Sequence, residues 1–541
     1  MSTCKLLTRQ WPRYLRCPTS RISVTSFNRT AFQTRPALRR AHGSISAAEL
    51  KFGQPLHETH PHILNPGELT PGITALEYAH RRSRLANRLP KHAIAVLSAA
   101  EVTYRASGIF NEYRQDSNFF YLTGFNEPNA LAIIANDGSG DNHIFHLYVR
   151  EKDPKAELWD GARSGTRAAI DVFNADETGD IERIGDILPR ILSDATEIYT
   201  DIPAFNPGRS SLHRYLYGPT GTSEQLKKVV DHSKVRPLRH ILNDMRVFKS
   251  EDEVVQMRRV GQASGRAFTE SMRQTFTKEK DLMSFLEYNF KVKGCDTSAF
   301  VPVVAGGSVC VVLQLNRTEA NTSQNALSIH YTRNDDVLRL IYDHSGMEIW
   351  YWSMGVEYET GTYVSDITRT WPVNGKFSDP QRDLYNAVLN VQRTCVSLCR
   401  ESANVSLDKL HTIAENGLRD QLQQLGFDVS GNVRSPFAFV SPNIDIDVHR
   451  RWASCSLIIW DWTSMIAPVI LEVFKLIQPS GIYVPDSDRW PEKFRGIGIR
   501  IEDSVCVGDD SPIVLTTEAV KEVRSLVSIK NSVDDIEALR G

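Results

Sequence analysis

The chain has 541 residues, 41% of them hydrophobic and 24% charged, with a formal net charge of −2. That is globular composition with room for two or three domains and a large buried core. The eight cysteines (Cys4, Cys17, Cys295, Cys310, Cys395, Cys399, Cys455, Cys506) form no CxxC pair, which argues against a disulfide framework or a structural zinc site. The most apolar late stretch, residues 465–477, is broken by Glu472 and Lys475 and falls short of the roughly 20 apolar residues of a membrane span.

At the N-terminus no acidic residue precedes Glu49, whereas Lys5, Arg9, Arg13, Arg16, Arg21, Arg29, Arg35, Arg39 and Arg40 stand among Ser, Thr and Leu. Such a leader predicts a mitochondrial presequence over residues 1–45 and delivery to the matrix. Losing those nine basic charges takes the formal net charge from −2 to −11, and an acidic body argues against nucleic acid as a partner.

Residues 50–70 carry His57, His60, His62, Pro55, Pro61 and Pro66 without ligand spacing and predict a linker or extended arm. A basic helix over residues 77–89 leads into the apolar run 93–97, and further apolar runs at 131–134 and 143–149 alternate with helical segments. This pattern predicts a mixed α/β domain over residues 70–235. Past a boundary at 235–248, Ser250-x-x-Glu253 forms a capping box opening a helix through Phe268. Residues 250–290 read as two helices, 379–402 and 407–425 as two more, beside apolar strands at 300–304 and 497–507, in a second domain over residues 249–530.

Asp366 follows Tyr363-Val364-Ser365 on a predicted strand and shares a face with Val364 and Thr368. Aspartate in a strand interior is disfavoured without a partner, which makes it a candidate metal ligand rather than a turn residue. In Gly498-Ile499-Arg500-Ile501-Glu502, alternation puts Arg500 and Glu502 on one face; alone, such a pair reads as an ion pair on an exposed sheet. His330 and His449 end the runs Leu327-Ser328-Ile329 and Ile446-Asp447-Val448, and singly each reads as polar surface or a satisfied core histidine. Together, carboxylates and imidazoles are the donors of a hydrolytic metal centre.

Two N-terminal segments resemble the N-terminal domain of aminopeptidase P: Tyr113-Arg114-Gln115-Asp116-Ser117-Asn118-Phe119-Phe120-Tyr121-Leu122-Thr123-Gly124-Phe125 and Pro154-x-x-Glu157-x-Trp159-x-Gly161-x-Arg163. Ile329-His330-Tyr331, Ser365-Asp366-Ile367-Thr368-Arg369-Thr370, Asp447-Val448-His449 and Arg500-Ile501-Glu502 resemble the active site of the mitochondrial Xaa-Pro aminopeptidases, the group that holds aminopeptidase P and the intermediate-cleaving peptidases. The resemblance runs over residues 54–527 and implies an α/β (α+β) protein. In it, a mixed α/β aminopeptidase P domain precedes a pita-bread metallopeptidase domain. It implies Asp366 and Glu502 as metal ligands, with His330, His449 and Arg500 as catalytic residues of the cleft, the histidines bonding the scissile carbonyl or the tetrahedral intermediate. It further implies two manganese ions whose bridging hydroxide attacks that carbonyl. Peptide or protein N-termini would be the substrates, shortened by one residue, and the group admits a homo-oligomer.

The implied ligands are two aspartates eleven positions apart, a histidine and two glutamates, and only Asp366 and Glu502 stand in place. Eleven positions before Asp366 is Gly355, and seven before His449 is Pro442. The family's Glu-Pro-Gly-Ile-Tyr is replaced by Gln478-Pro479-Ser480-Gly481-Ile482-Tyr483, whose amide offers only a neutral oxygen. These departures fall in or beside two unfamiliar blocks, residues 340–360 and 432–480, and a third block occupies 309–324. Familiar sequence resumes cleanly after each, as retained introns or local frameshifts would leave it. If the chain is as written, the alternative is a catalytically inactive pita-bread binding protein; a prolidase-like dipeptidase is a further reading on the same fold.

Overall fold

The structure, a computed structural model, describes residues 51–136, 138, 143–202, 234–298, 303–305, 351–358, 363–429, 481–484 and 488–529. The predicted leader and the blocks at 309–324 and 432–480 lie outside them, as does most of the block at 340–360. No described helix is long and apolar enough to cross a membrane, and of the described cysteines Cys295, Cys395 and Cys399 are buried.

Thr74 opens the first helix, α1 (Ala75–Ala86), by accepting the Glu77 amide at 3.2 Å. The helix ends earlier than its pattern predicts because the amides of Arg88 and Leu89 reach back only to Leu85 and Ala86, a 3₁₀ finish. Among the strands that follow are six, β1 (Ile94–Ser98), then, after the short helix α2 (Ser117–Thr123), β2 (Leu131–Asn136), β3 (His143–Val149), β4 (Glu177–Asp180), β5 (Ile198–Tyr199) and β6 (Val235–Arg236). They form one sheet in the order β6-β5-β1-β2-β3-β4, antiparallel at its centre and parallel at both flanks. Ala95 and Leu97 enter one core cluster while Ile94 and Val96 enter another. A strand buried on both faces needs no polar alternation, which is why this run reads as continuously apolar.

Residues 51–70 are not a free arm. Leu56, Leu64 and Leu69 are buried, and the Gln54 amide donates to the Gly124 carbonyl at 2.9 Å while accepting the Asn126 amide at 2.6 Å. His57 spends its Nδ1 on the Leu64 carbonyl at 2.8 Å. The aromatic motif at 113–125 is a packing and turn device: Asp116 caps α2, Gly124 takes φ 66 at its end, and Phe119, Phe120 and Tyr121 are buried. Trp159 of the second motif is 86% exposed, so packing does not explain it.

Ser250 and Glu253 make both halves of the capping box that opens α3 (Glu251–Arg273), and α4 (Glu279–Val292) follows. Next come β7 (Cys295–Ser298), β8 (Val303–Ala305), β9 (Tyr351–Tyr358) and β10 (Val364–Arg369). β9 is the centre of this sheet, antiparallel to β7 and β8 along one edge and to β10 along the other. Part of the unfamiliar block at 340–360 thus occupies the central strand. The helices α5 (Asp379–Ser397) and α6 (Leu407–Gln424) join α3 and α4 against the sheet, with Ile367 in one core cluster with Phe268, Leu286, Val388 and Leu418. Helices backing a sheet are the arrangement expected of the second domain. The predicted strand at 497–507 divides into β12 (Gly498–Arg500), which pairs with β11 (Gly481–Tyr483), and β13 (Val505–Cys506), which pairs with β14 (Ile513–Val514).

The two halves meet at Arg81 on α1, whose side chain is 1% exposed. Its guanidinium donates to Tyr363 Oη at 3.2 Å and lies 3.7 Å from Glu253, while Tyr363 donates to Glu253 at 3.0 Å. Tyr363 immediately precedes β10, so the first half is tied to the strand that carries Asp366.

Candidate active site

Asp366 lies midway along β10, every residue of which is buried. On one side it faces Gly355 of β9 directly across the antiparallel ladder. On the other side its backbone is clasped by Ser504, whose Oγ accepts the Asp366 amide at 3.0 Å and donates to the Asp366 carbonyl at 2.8 Å. Two residues along, Thr368 and Glu502 exchange backbone bonds as an isolated bridge, and Thr370 Oγ1 accepts the Arg500 amide at 3.0 Å. Residues opposite one another in such a ladder share a face, as do residues two apart. Position 355, Asp366, Thr368, Glu502 and Arg500 therefore line one face of consecutive strands.

On that face Glu502 Oε2 accepts from Arg500 Nη2 at 2.9 Å and from Thr368 Oγ1 at 2.8 Å. Arg500 is 3% exposed and Glu502 5%, so the pair is not the exposed-sheet ion pair that an isolated Arg-x-Glu would suggest; burial makes each partner depend on the other.

The opposite face of the same strands carries a second charged network. Ser365 packs on α3 through a 2.8 Å contact with Ser264. Arg369 donates to the carbonyls of Thr368, Glu502 and Ala519 and to Asp503 Oδ1. Asp503 also accepts from Thr516 and Gln392, each at 2.8 Å, and from Lys521. Burial alone would raise the Asp503 carboxyl, but Arg369 and Lys521 outweigh it and hold it far below the usual aspartate range. Arg369 thus grips the backbone of Glu502 from behind while Arg500 and Thr368 hold its carboxylate in front.

Of the residues singled out in the sequence, Asp366, Glu502 and Arg500 are brought together, and His330 and His449 lie outside the described residues. Residues 78–199 match the aminopeptidase P N-terminal domain, and residues 255–509 match metallopeptidase family M24. The chain is 38% identical over 492 residues to intermediate cleaving peptidase 55 of Saccharomyces cerevisiae, covering 89% of each chain. To Xaa-Pro aminopeptidase 3 of Rattus norvegicus it is 33% identical, covering 88% of this chain and 90% of that one. The fold is similar to the crystal structure of Icp55 from Saccharomyces cerevisiae lacking its N-terminal 58 residues, with a TM-score of 0.66 at 33% identity over 86% of this chain and 100% of that one. The chain belongs to metallopeptidase family M24.

An M24 protein is expected to hold a divalent metal, and the described residues do not fit a two-ion centre. Among them no group of three or more His, Cys, Asp or Glu side chains is placed to hold a metal ion. The two carboxylates that qualify by position are Asp366 and Glu502, one oxygen of Glu502 already takes two protein donors, and the residue facing Asp366 is Gly355. Pro442 and Gln478 lie outside the described residues.

Thr368, Ser504, Arg369 and Asp503 were not singled out from the sequence. Sequence alternation places Thr368 on the face of Asp366 but gives it no role there. The partnership of Ser504 with Asp366, and of Arg369 with Asp503, joins segments over a hundred residues apart and leaves no local signal.

Proposed function

We propose that this protein removes single residues from the N-termini of peptides and of imported mitochondrial proteins, as an intermediate-cleaving or Xaa-Pro type aminopeptidase. The observation that carries the reading is similarity to intermediate cleaving peptidase 55 along nearly the full length of both chains, and the acid-free basic leader supports a mitochondrial location, with the matrix as the working compartment. In this reading residues 70–235 form the aminopeptidase P domain and 249–530 the catalytic domain. Asp366 and Glu502 are metal ligands, Arg500, His330 and His449 line the cleft, manganese is the metal, and the molecule works as a homo-oligomer.

The test uses the chain without residues 1–45, supplied with manganese and given decapeptides that differ at the first two positions. Mass spectrometry should show loss of one N-terminal residue, abolished by EDTA. Peptides that stay intact at all metal concentrations would overturn the reading, and cleavage confined to Xaa-Pro dipeptides would replace it with a prolidase-like activity. A second reading, a binding protein without turnover, is favoured by one observation, the glycine facing Asp366; peptide binding without cleavage is its signature.

A further inference from the structure

We infer that this chain loads fewer than two metal ions, and that the carboxylate missing at Gly355 contributes to that limit. The inference rests on the metallopeptidase reading and concerns its site. β9 and β10 pair in unbroken register from Trp352↔Arg369 to Glu357↔Val364, with Gly355 directly opposite Asp366. Side chains at such opposed positions stand about 4.5–5.5 Å apart at Cβ on one face. That spacing suits two carboxylates reaching ions about 3.5–4 Å apart. Glycine there leaves the strand pairing whole and the donor absent.

Charge leads to the same limit. The described face carries Asp366 and Glu502 against Arg500, all three buried, a net charge of −1 if all are ionised. Two divalent ions would leave three positive charges uncompensated in a desolvated site, and one ion would leave one. A carboxylate at 355 lowers each residue of charge by one and does so beside Asp366. The face also stands without metal, since Arg500 and Thr368 both donate to Glu502 and Ser504 clasps the Asp366 backbone.

The experiment is metal stoichiometry on the whole chain equilibrated with Mn²⁺, by elemental analysis and titration calorimetry, for the unaltered protein, Gly355→Asp and the isosteric neutral control Gly355→Asn. Fewer than two equivalents are expected for the unaltered chain, a gain for Gly355→Asp and none for Gly355→Asn, with circular dichroism unchanged. Two equivalents bound by the unaltered chain overturn the inference, as does a folded Gly355→Asp that gains nothing. If Gly355→Asp does not fold, the stoichiometry of the unaltered chain still decides. Peptide trimming is read separately: fewer than two ions without trimming sinks the proposed function alone, whereas two ions with trimming sinks this inference alone.

Discussion

Asp503→Asn removes the charge at the hub of the network behind Glu502. The carboxylate and its main partner Arg369 are each 1% exposed at the side chain. Oδ1 takes Arg369 and Thr516, and Oδ2 takes Gln392 and Lys521. An asparagine keeps one acceptor oxygen and turns an NH₂ toward the other pair of partners, so a donor meets donors whichever way the amide lies. It also leaves the Arg369 guanidinium buried without a counter-charge. Breaking a buried pair from one side costs about 3–5 kcal/mol, more than the net worth of the pair, because a charge is stranded. The assay is urea unfolding followed by far-ultraviolet circular dichroism, read as a shift in midpoint at constant slope. The double variant Arg369→Met with Asp503→Leu should recover part of the loss, since the buried guanidinium is no longer stranded and the remaining cation, Lys521, is 22% exposed. A single-variant loss below about 1 kcal/mol, the scale of an exposed pair, would refute the reasoning.

Because Asp503 is held below its ordinary value of 3.8 by Arg369 and Lys521 despite burial, its stabilising contribution is complete above that value and is lost as pH falls toward the lower folded value. The unaltered protein should therefore lose more stability than Asp503→Asn between about pH 5 and pH 3; parallel melting temperatures for the two would refute this. Tyr363→Phe removes the hydroxyl that accepts from Arg81 at 3.2 Å and donates to Glu253 at 3.0 Å, and leaving the buried Glu253 short of a donor should cost about 1–3 kcal/mol in the same urea assay, with an unchanged midpoint as the contrary result. Gly261→Ala would put a Cβ 2.2 Å from the Leu515 carbonyl oxygen, so a loss of about 1–3 kcal/mol is expected from overpacking in place of the gain of about 1 kcal/mol that alanine brings to an open helix; a higher melting temperature would count against that close approach.

The helices were legible where caps act within a few residues: Ser250 with Glu253 announced α3, which runs past the expected end at Phe268 to Arg273. Strand β10 was legible from its β-prone run, and the alternation that puts Asp366 and Thr368 on one face and Ser365 and Ile367 on the other is the alternation observed. The reading of residues 50–70 as an arm failed because prolines and histidines there say nothing about Gln54, whose amide is matched to a turn seventy residues away. The break of the last strand run between Arg500 and Val505 was missed for a similar reason. Its apolar alternation continues, but Glu502 turns its hydrogen bonds to Thr368 rather than to the partners of β12 or β13. Local pattern reports which face a residue takes, and long-range pairing decides what it meets there.

That distinction bears on how fold and chemistry separate in this protein. The backbone positions of Asp366 and Glu502 are fixed by Ser504, by the Thr368 bridge and by Arg369, none of which needs a metal ion to make its bonds. A glycine at 355 costs such a scaffold little, because β9 keeps its ladder to β10 in register across Gly355, at a penalty of order 1 kcal/mol for glycine in a strand interior. Donor loss at this position can thus leave the M24 architecture intact while changing how many ions it holds. The same independence makes restoration a one-residue question: Asp366 and Glu502 are already buried, aligned on one face and braced from behind, so a carboxylate returned at 355 enters a site whose other described walls are in place.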